Sequence, residues 1–351
     1  MYEKLYDMNV LYNAFQKCKK GTDWKNSVQK YEANLFANLN TLRKELENET
    51  YRQKKFTEFD ICERGKQRHI KSLHISDRVV QRALCDEILF PAMSKYLIYD
   101  NGASIKGKGI GFARSRLMTH LSEYYRTYGN KGYVLILDYS KYFDSIPHDK
   151  LIKLYEKYID DEKVIKLVNH LVSACSSEGV GIGIGSQISQ ISGISYLIPV
   201  DNYCKIVKGC KYYGRYMDDL YIIHPDKKFL QELVKDITEI SRELGLTINV
   251  KKTHIFRIDK GFEFLKLYHF VDENGKITRK ICKKNIIRER RKLKKLKKKL
   301  EAGGVSLSDI KSAYKSWRGS LTKFDCHNAI KNMDKLFEEL FVKGGSEACI
   351  Q

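Results

Sequence analysis

Proline is scarce in this chain, four in 351 residues, and no stretch is rich in glycine and serine. Nothing therefore marks a flexible linker between independently folded domains. The nine cysteines (18, 62, 85, 175, 204, 210, 282, 326 and 349) are odd in number, and no two form a Cys-x-x-Cys pair. This spacing argues against both a disulfide framework and a zinc site, and reads as reduced thiols in an intracellular, cytoplasmic protein. No signal peptide is visible, nor an apolar run of the ~20 residues that a membrane helix needs, so no membrane partner is expected. Acidic residues are also short: 43 Asp+Glu against 64 Lys+Arg leaves a net charge of +21. Such an excess suits phosphate backbones, because each neutralised phosphate releases counterions. At 42% hydrophobic the chain has enough apolar residues for a large core spread over two or three subdomains.

Against this basic background, Tyr216-Met217-Asp218-Asp219 stands out. It lies between the β-prone runs Lys211-Tyr212-Tyr213 and Leu220-Tyr221-Ile222-Ile223. Alternating β-formers around a tight acidic turn predict a hairpin with two carboxylates at its tip. Neighbouring carboxylates resist ionising together, and a turn that holds them offers them to a cation. Upstream, Tyr133-Val134-Leu135-Ile136-Leu137 reads as a buried central strand, with Asp138 where it leaves the core. A strand-end Asp followed by a hairpin-tip Asp-Asp is the layout of a two-metal nucleotidyl-transfer site, with Asp138 and Asp218 bridging two Mg²⁺ ions.

These segments resemble a prokaryotic reverse transcriptase, and the match runs in order along nearly the whole chain. Leu137-Asp138 through Asp144 is similar to the family's motif A, and Tyr216–Asp219 to its motif C. The resemblance implies Asp138 and Asp218 as metal ligands, the Tyr139 carbonyl as a further ligand, and Asp219 as the second acid of motif C. The cofactor implied is a pair of Mg²⁺ ions, with Mn²⁺ as a substitute. Phe143 matches the aromatic steric gate, where a ring beneath the sugar leaves no room for a 2′-hydroxyl and so selects dNTPs. Arg64 to Ile70 followed by Ser76 to Leu84 resembles the fingers; Arg68 matches the arginine that contacts the incoming nucleotide, with Lys66 beside it. The Asn101–Gly109 loop brings Lys106 and Lys108 to track template phosphates. Gly179 to Gln190 resembles motif B, with Ser186 as a helix cap, but reads Ile182-Gly183-Ile184-Gly185 where most retroviral and group II intron enzymes have Leu-Pro-Gln-Gly. Ile184, Gly185, Ser189 and Gln190 resemble diversity-generating retroelement enzymes; an Ile here removes an amide near the nascent pair and implies low fidelity. Lys252 matches the motif D proton donor, and Phe264-Leu265-Lys266 the primer grip, with lysine where the family usually has glycine.

Helical spacing is expected over Trp24–Glu47 and Phe229–Leu244, a strand over Leu246–Asn249, and a tight turn at Asn274-Gly275. From Arg279 to Leu300, 13 of 22 residues are Lys or Arg, with Leu293, Leu296 and Leu300 as an apolar stripe. This predicts a docked basic helix whose Arg290, Arg291, Lys294 and Lys298 grip nucleic acid. Ser306 to Asp309 reads as a capping box opening a further helix. The fold expected from the resemblance is α+β, a right-hand polymerase. Fingers with a helical extension would span 1–130, a palm with an antiparallel sheet 131–272 (motif B, 179–200, bordering the fingers), and a helical thumb 273–351. No ribonuclease H or endonuclease pattern follows the thumb, which disfavours a self-sufficient retroviral or intron enzyme. Two roles stay open within the polymerase class: a mutagenic retroelement enzyme with a small basic accessory protein, and an antiphage (antiviral) defence enzyme using a non-coding RNA. The expected partners are template RNA, the RNA/cDNA duplex and dNTPs. A catalytically idle RNA-binding scaffold is the reading from another class.

Overall fold

The computed structural model describes residues 1–63 and 66–342. In chain order the helices and strands begin with α1 (Met8–Lys19), α2 (Asn26–Ala33), α3 (Leu35–Glu47), β1 (Thr57–Glu63), β2 (Lys66–Ser72), α4 (Ile75–Leu84), α5 (Phe90–Met93) and α6 (Ile110–Tyr128). There follow β3 (Tyr133–Leu137), α7 (Tyr142–Ser145), α8 (His148–Glu156), α9 (Glu162–Ser173), α10 (Gln187–Ser195), α11 (Ile198–Asn202), β4 (Tyr212–Tyr216), β5 (Asp219–His224) and α12 (Lys227–Glu243). The last are β6 (His254–Arg257), β7 (Phe262–Phe264), β8 (Leu267–Val271), β9 (Ile277–Ile281), α13 (Lys283–Glu301), α14 (Leu307–Gly319) and α15 (His327–Phe341). Four strands bond in the order β4-β5-β3-β6. The run Tyr133–Leu137 is thus a central strand, as its unbroken apolar character predicts.

The chain forms two compact units. The first comprises Met1–Ala113, Leu137–Tyr221 and Gln231–Thr253. Its core draws on α4 (Val79, Val80, Leu84), α9 (Val164, Leu167, Val168, Leu171) and α10 (Ile188, Ile191, Ile194), all buried. The second comprises Arg114–Ile136, Ile222–Leu230 and the chain from His254 onward. It holds the antiparallel sheet β7-β8-β9, with Phe264 opposite Leu267 and Val271 opposite Ile277. It also holds a helical cluster in which Leu293, Ile310, Tyr314, Met333 and Phe341 are buried, with Ile286, Leu296 and Leu300 packed against them. Ser306 caps α14 by accepting from the Asp309 N–H at 3.1 Å, as the sequence predicts.

Several local expectations are corrected. The Trp24–Glu47 segment is two helices broken at Asn34 (φ −121°, ψ 40°), and Trp24 precedes both. Leu246–Asn249 makes a single bridge, Ile248 with Tyr139, because the facing chain leaves the extended conformation within two residues at Lys141 (φ 46°). The basic segment is β9 up to Ile281 and becomes helical only after Cys282. Asn274-Gly275 lies in a five-residue connection closed by the Asp272 N–H donating to the Lys276 carbonyl at 3.2 Å, with Gly275 left-handed (φ 79°). The eight cysteines among the described residues are unpaired; Cys349 lies outside them. No helix of the described residues is long and apolar enough to cross a membrane.

Leu293→Ala should cost about 3 kcal/mol, as a fully buried Leu leaves a cavity. Hydrogen exchange checks it: α13–α15 amides should exchange faster while those of β4 and β5 stay protected.

Candidate active site

The β3 strand carries Leu137 into the core and releases the chain at Asp138, which is 7% exposed. The Asn249 N–H donates to the Asp138 carbonyl and the Ser140 N–H to that of Thr247, both at 2.8 Å. Tyr139 is buried, its hydroxyl 3.0 Å from Ser241 Oγ. Lys141 then takes a left-handed conformation, which turns the chain into α7 and its Phe143.

The second acidic element is the β4–β5 hairpin. Its strands end at Tyr216 and restart at Asp219, and Met217 has φ 58°, a conformation that costs a side-chain-bearing residue roughly 1 kcal/mol or more. Arg215, 1% exposed, holds this turn from below. Its Nη1 donates to the Met217 carbonyl, its Nη2 to the Ile194 carbonyl and its Nε to Asp201 Oδ1, each at 2.9 Å. Asp201 is wholly buried and also accepts the Tyr213 hydroxyl. The Arg215 backbone is fixed too: its N–H donates to the Asp100 carbonyl (3.1 Å), and its carbonyl accepts the Gly102 N–H (2.9 Å). The guanidinium is thus spent mainly on Asp201 and two carbonyls, and its pull on the Asp218 carboxyl is weaker than that of Lys252.

Those acids influence one another. Burial pushes the Asp218 carboxyl above its usual range, and the Asp138 charge adds to this. Asp219 is pushed up to about 7, first by burial, then by Asp218 and Asp138. The cation that offsets them is Lys252, whose ammonium bonds Asp138 Oδ2 and is itself held in the charged form by that bond. Three carboxylates and one amine leave negative charge unbalanced, so the donor set fits divalent cations. Among the described residues no three His, Cys, Asp or Glu side chains form a ready ligand cage.

Phe143 and the hairpin residue Met217 meet α10 at Gly193. A Cβ there would lie 3.0 Å from both Met217 Sδ and a Phe143 ring carbon, so glycine lets motif A, motif B and motif C close together. The Tyr142 hydroxyl donates to the Gly193 carbonyl at 2.7 Å and its ring meets Phe143 edge-on, 5.4 Å between centroids. The loop before α10 is tied to α7 by the Ile182 N–H donating to the Phe143 carbonyl (3.0 Å) and the Gly181 N–H to Ile146 (2.8 Å). Gly183 and Gly185 have φ 64° and 111°, and Ser186 caps α10 through the Ser189 N–H at 3.0 Å, as predicted. Ile184 is 39% exposed and lines a groove of about 340 Å³ with Asp144 and Gln67.

The remaining predicted residues are placed as follows. Lys66 and Arg68 stand on β2 opposite Glu63 and Ile61, and their side chains lie outside the described residues, as do Arg64 and Gly65. Lys106 is exposed beside a groove that includes Arg82, Gln187 and Gln190. Lys108 sits over the rings of Tyr99 (4.6 Å) and Phe112 (4.7 Å), so its charge is engaged with aromatic faces. The other unit holds Phe264, buried, and the turn Leu265-Lys266 with φ 45° and 70°. Two left-handed residues make the tight β7–β8 hairpin without a glycine, and Arg114 Nη2 supports it by donating to the Leu265 carbonyl. Arg290, Arg291, Lys294 and Lys298 are exposed on α13 of that unit. The sequence reading missed Arg215, Asp201, Gly193 and Arg114. An arginine inside the apolar run Tyr212–Tyr216 and an aspartate inside Ile198–Val200-Asp201 were the available signals for the first two.

Residues 52–269 match the family described as reverse transcriptase (RNA-dependent DNA polymerase). None of the curated proteins matches the sequence. Among solved structures, the chain is similar to telomerase from Candida albicans in complex with a TWJ fragment of telomeric RNA (TM-score 0.51, 13% identity, 65% of this chain and 46% of that one). It is also similar to apo telomerase from Candida tropicalis truncated from its C-terminal domain (TM-score 0.46, 16% identity, 64% and 54%). The chain spans about half the length of these telomerases. The first likeness agrees with the α+β right-hand polymerase fold that the sequence predicts.

Arg215→Met should destabilise by about 3–5 kcal/mol, because it leaves the buried Asp201 carboxyl without its ion-pair partner. Arg215→Met with Asp201→Leu should recover most of the melting temperature yet bind Mn²⁺ more weakly by electron paramagnetic resonance, since the Met217 carbonyl still lacks its donor. A second prediction concerns pH. Folded Asp219 holds its proton up to about 7, above its unfolded value, so its ionisation opposes folding above that pH and the penalty fades as pH falls. In EDTA, Asp219→Asn should raise the melting temperature at pH 8, and the gain should shrink by pH 6.

Proposed function

The chain belongs to the reverse transcriptase (RNA-dependent DNA polymerase) family, and from that premise we propose that it copies an RNA template into DNA. The observation that carries this reading is the mutual influence of buried Asp138 and half-buried Asp218 and Asp219, acids from two distant segments that leave negative charge unbalanced. Divalent cations bound there, Mg²⁺ or in its place Mn²⁺, supply Lewis acidity to the primer 3′-hydroxyl and to the leaving pyrophosphate. Asp138 and Asp218 hold them together with the Tyr139 carbonyl, and Asp219 serves as the second, outer acid. Lys252, whose ammonium bonds Asp138 Oδ2, would give its proton to the leaving pyrophosphate. Phe143, braced by Tyr142 and Gly193, closes the sugar side to a 2′-hydroxyl. Arg68 and Lys66 receive the triphosphate and Lys106 the template strand. Phe264–Lys266 position the primer end, and the α13 cations take nucleic-acid phosphates. In this scheme fingers occupy 1–130, palm 131–272 and thumb 273–351.

The finer reading is a mutagenic enzyme of a diversity-generating retroelement, acting with its template RNA and a small basic accessory protein. Ile184 supports it: an exposed aliphatic chain, with glycines on both sides, stands where a glutamine amide would bond the nascent pair. The antiphage-defence reading shares the chemistry and differs in fidelity and in the RNA copied.

Extension of a DNA primer on an RNA template with Mg²⁺ tests the activity. Asp218→Asn should slow it by about three orders of magnitude or more, and Phe143→Val should admit ribonucleotides roughly tenfold more readily. Full activity in Asp218→Asn would reject the acid site. Sequenced cDNA should carry errors concentrated opposite template adenines, reduced in Ile184→Gln; an evenly faithful copy would favour the defence reading.

A further inference from the structure

The basic helix α13 carries cations around most of its circumference, and one side of it forms a groove with α15. Ile287, Arg290, Arg291 and Lys294 stand at i, i+3, i+4 and i+7, one face of α13, and Asn332, Lys335, Leu336 and Glu339 repeat that spacing on α15. Together these faces enclose about 480 Å³, the size range of sites for small organic ligands. The groove is more than a charged strip. Ile287 is 48% exposed and Leu336 only partly buried, so an apolar floor is open to solvent between the cations. Elsewhere along α13, Lys284 pairs with Glu263 and Lys292 with Glu289. Among the described residues no ion pair or hydrogen bond engages the side chains of Arg290, Arg291, Lys294 or Lys335. Four free cations thus face one carboxylate, Glu339.

We propose that this groove binds an unpaired nucleotide of the RNA partner, its phosphates on Arg290, Arg291, Lys294 and Lys335 and its base on Ile287 and Leu336. A base inside a duplex is stacked and cannot reach an apolar floor, whereas a splayed-out base from a loop or single strand presents its face and its hydrogen-bonding edge. Asn332 supplies an amide donor and acceptor to that edge. Glu339 repels phosphate but accepts a base amino group or a 2′-hydroxyl, which favours RNA over DNA. The proposal rests on the polymerase reading for the identity of the partner, and it sharpens the α13 cations from a general nucleic-acid grip into an RNA-recognition site.

The test uses the full chain preloaded with a saturating, unlabelled RNA–DNA primer hybrid, so that the polymerase path is filled. A labelled, unstructured RNA octamer is then titrated and followed by fluorescence anisotropy at fixed salt. Asn332→Trp, which fills the groove, and Lys335→Glu, which reverses a charge in it, should each weaken octamer binding roughly tenfold. Both should keep the melting temperature, hybrid affinity and primer extension of the parent. The DNA octamer of the same sequence should bind at least severalfold more weakly. Unchanged octamer affinity in both variants, loss of octamer binding on preloading, or equal binding of DNA would overturn the proposal. Octamer binding lost in the variants of a protein that extends no primer would instead uphold the groove and remove the polymerase reading.

Discussion

A single buried guanidinium supports the acidic site. Arg215 lies under the β4–β5 turn, wholly enclosed, and bonds Asp201, the Ile194 carbonyl and the Met217 carbonyl at once. Each contact ties a different element: α11, α10 and the hairpin tip. Burying an ion pair is rarely a gain in stability, because desolvation offsets most of the attraction. Its use here is geometric. Met217 is held left-handed without glycine, and that conformation sets where Asp218 and Asp219 stand.

The charge balance above that pair follows from the same economy. Arg215 is consumed below, so three carboxylates share one nearby ammonium, from Lys252. Burial and mutual repulsion then keep Asp219 protonated to about 7. A site in this condition gains by exchanging a proton and a lysine contact for divalent charge.

Much of this was readable from local pattern. The apolar run ending at Asp138, the hairpin around Tyr216–Asp219, the Ser186 and Ser306 caps and the Leu293 stripe are all short-range signals, and each lies where its period or capping residue predicts. Elements set by long-range pairing were less legible. Leu246–Asn249 has β-forming residues, but its partner chain turns away at Lys141, so one bridge forms instead of a strand. Asn34 splits a continuous helical pattern into two helices. Leu265-Lys266 builds a tight turn from two residues that ordinarily avoid positive φ, with Arg114 holding it from 151 positions away in sequence.

The sequence by itself determined the chemistry on offer: paired acids at a turn, a third acid at a strand end, an aromatic five residues beyond it, and a large surplus of positive charge. Those are properties of residue type and spacing, and they hold before any packing is known. Only the tertiary structure decided how they combine. Whether Asp219 is charged depends on burial and on Asp138, 81 positions distant. Whether Phe143 and Met217 can approach depends on the missing side chain of Gly193. Whether Arg215 serves the surface or the core depends on where Asp201 falls. Spacing names the groups; distance and dielectric set what they do.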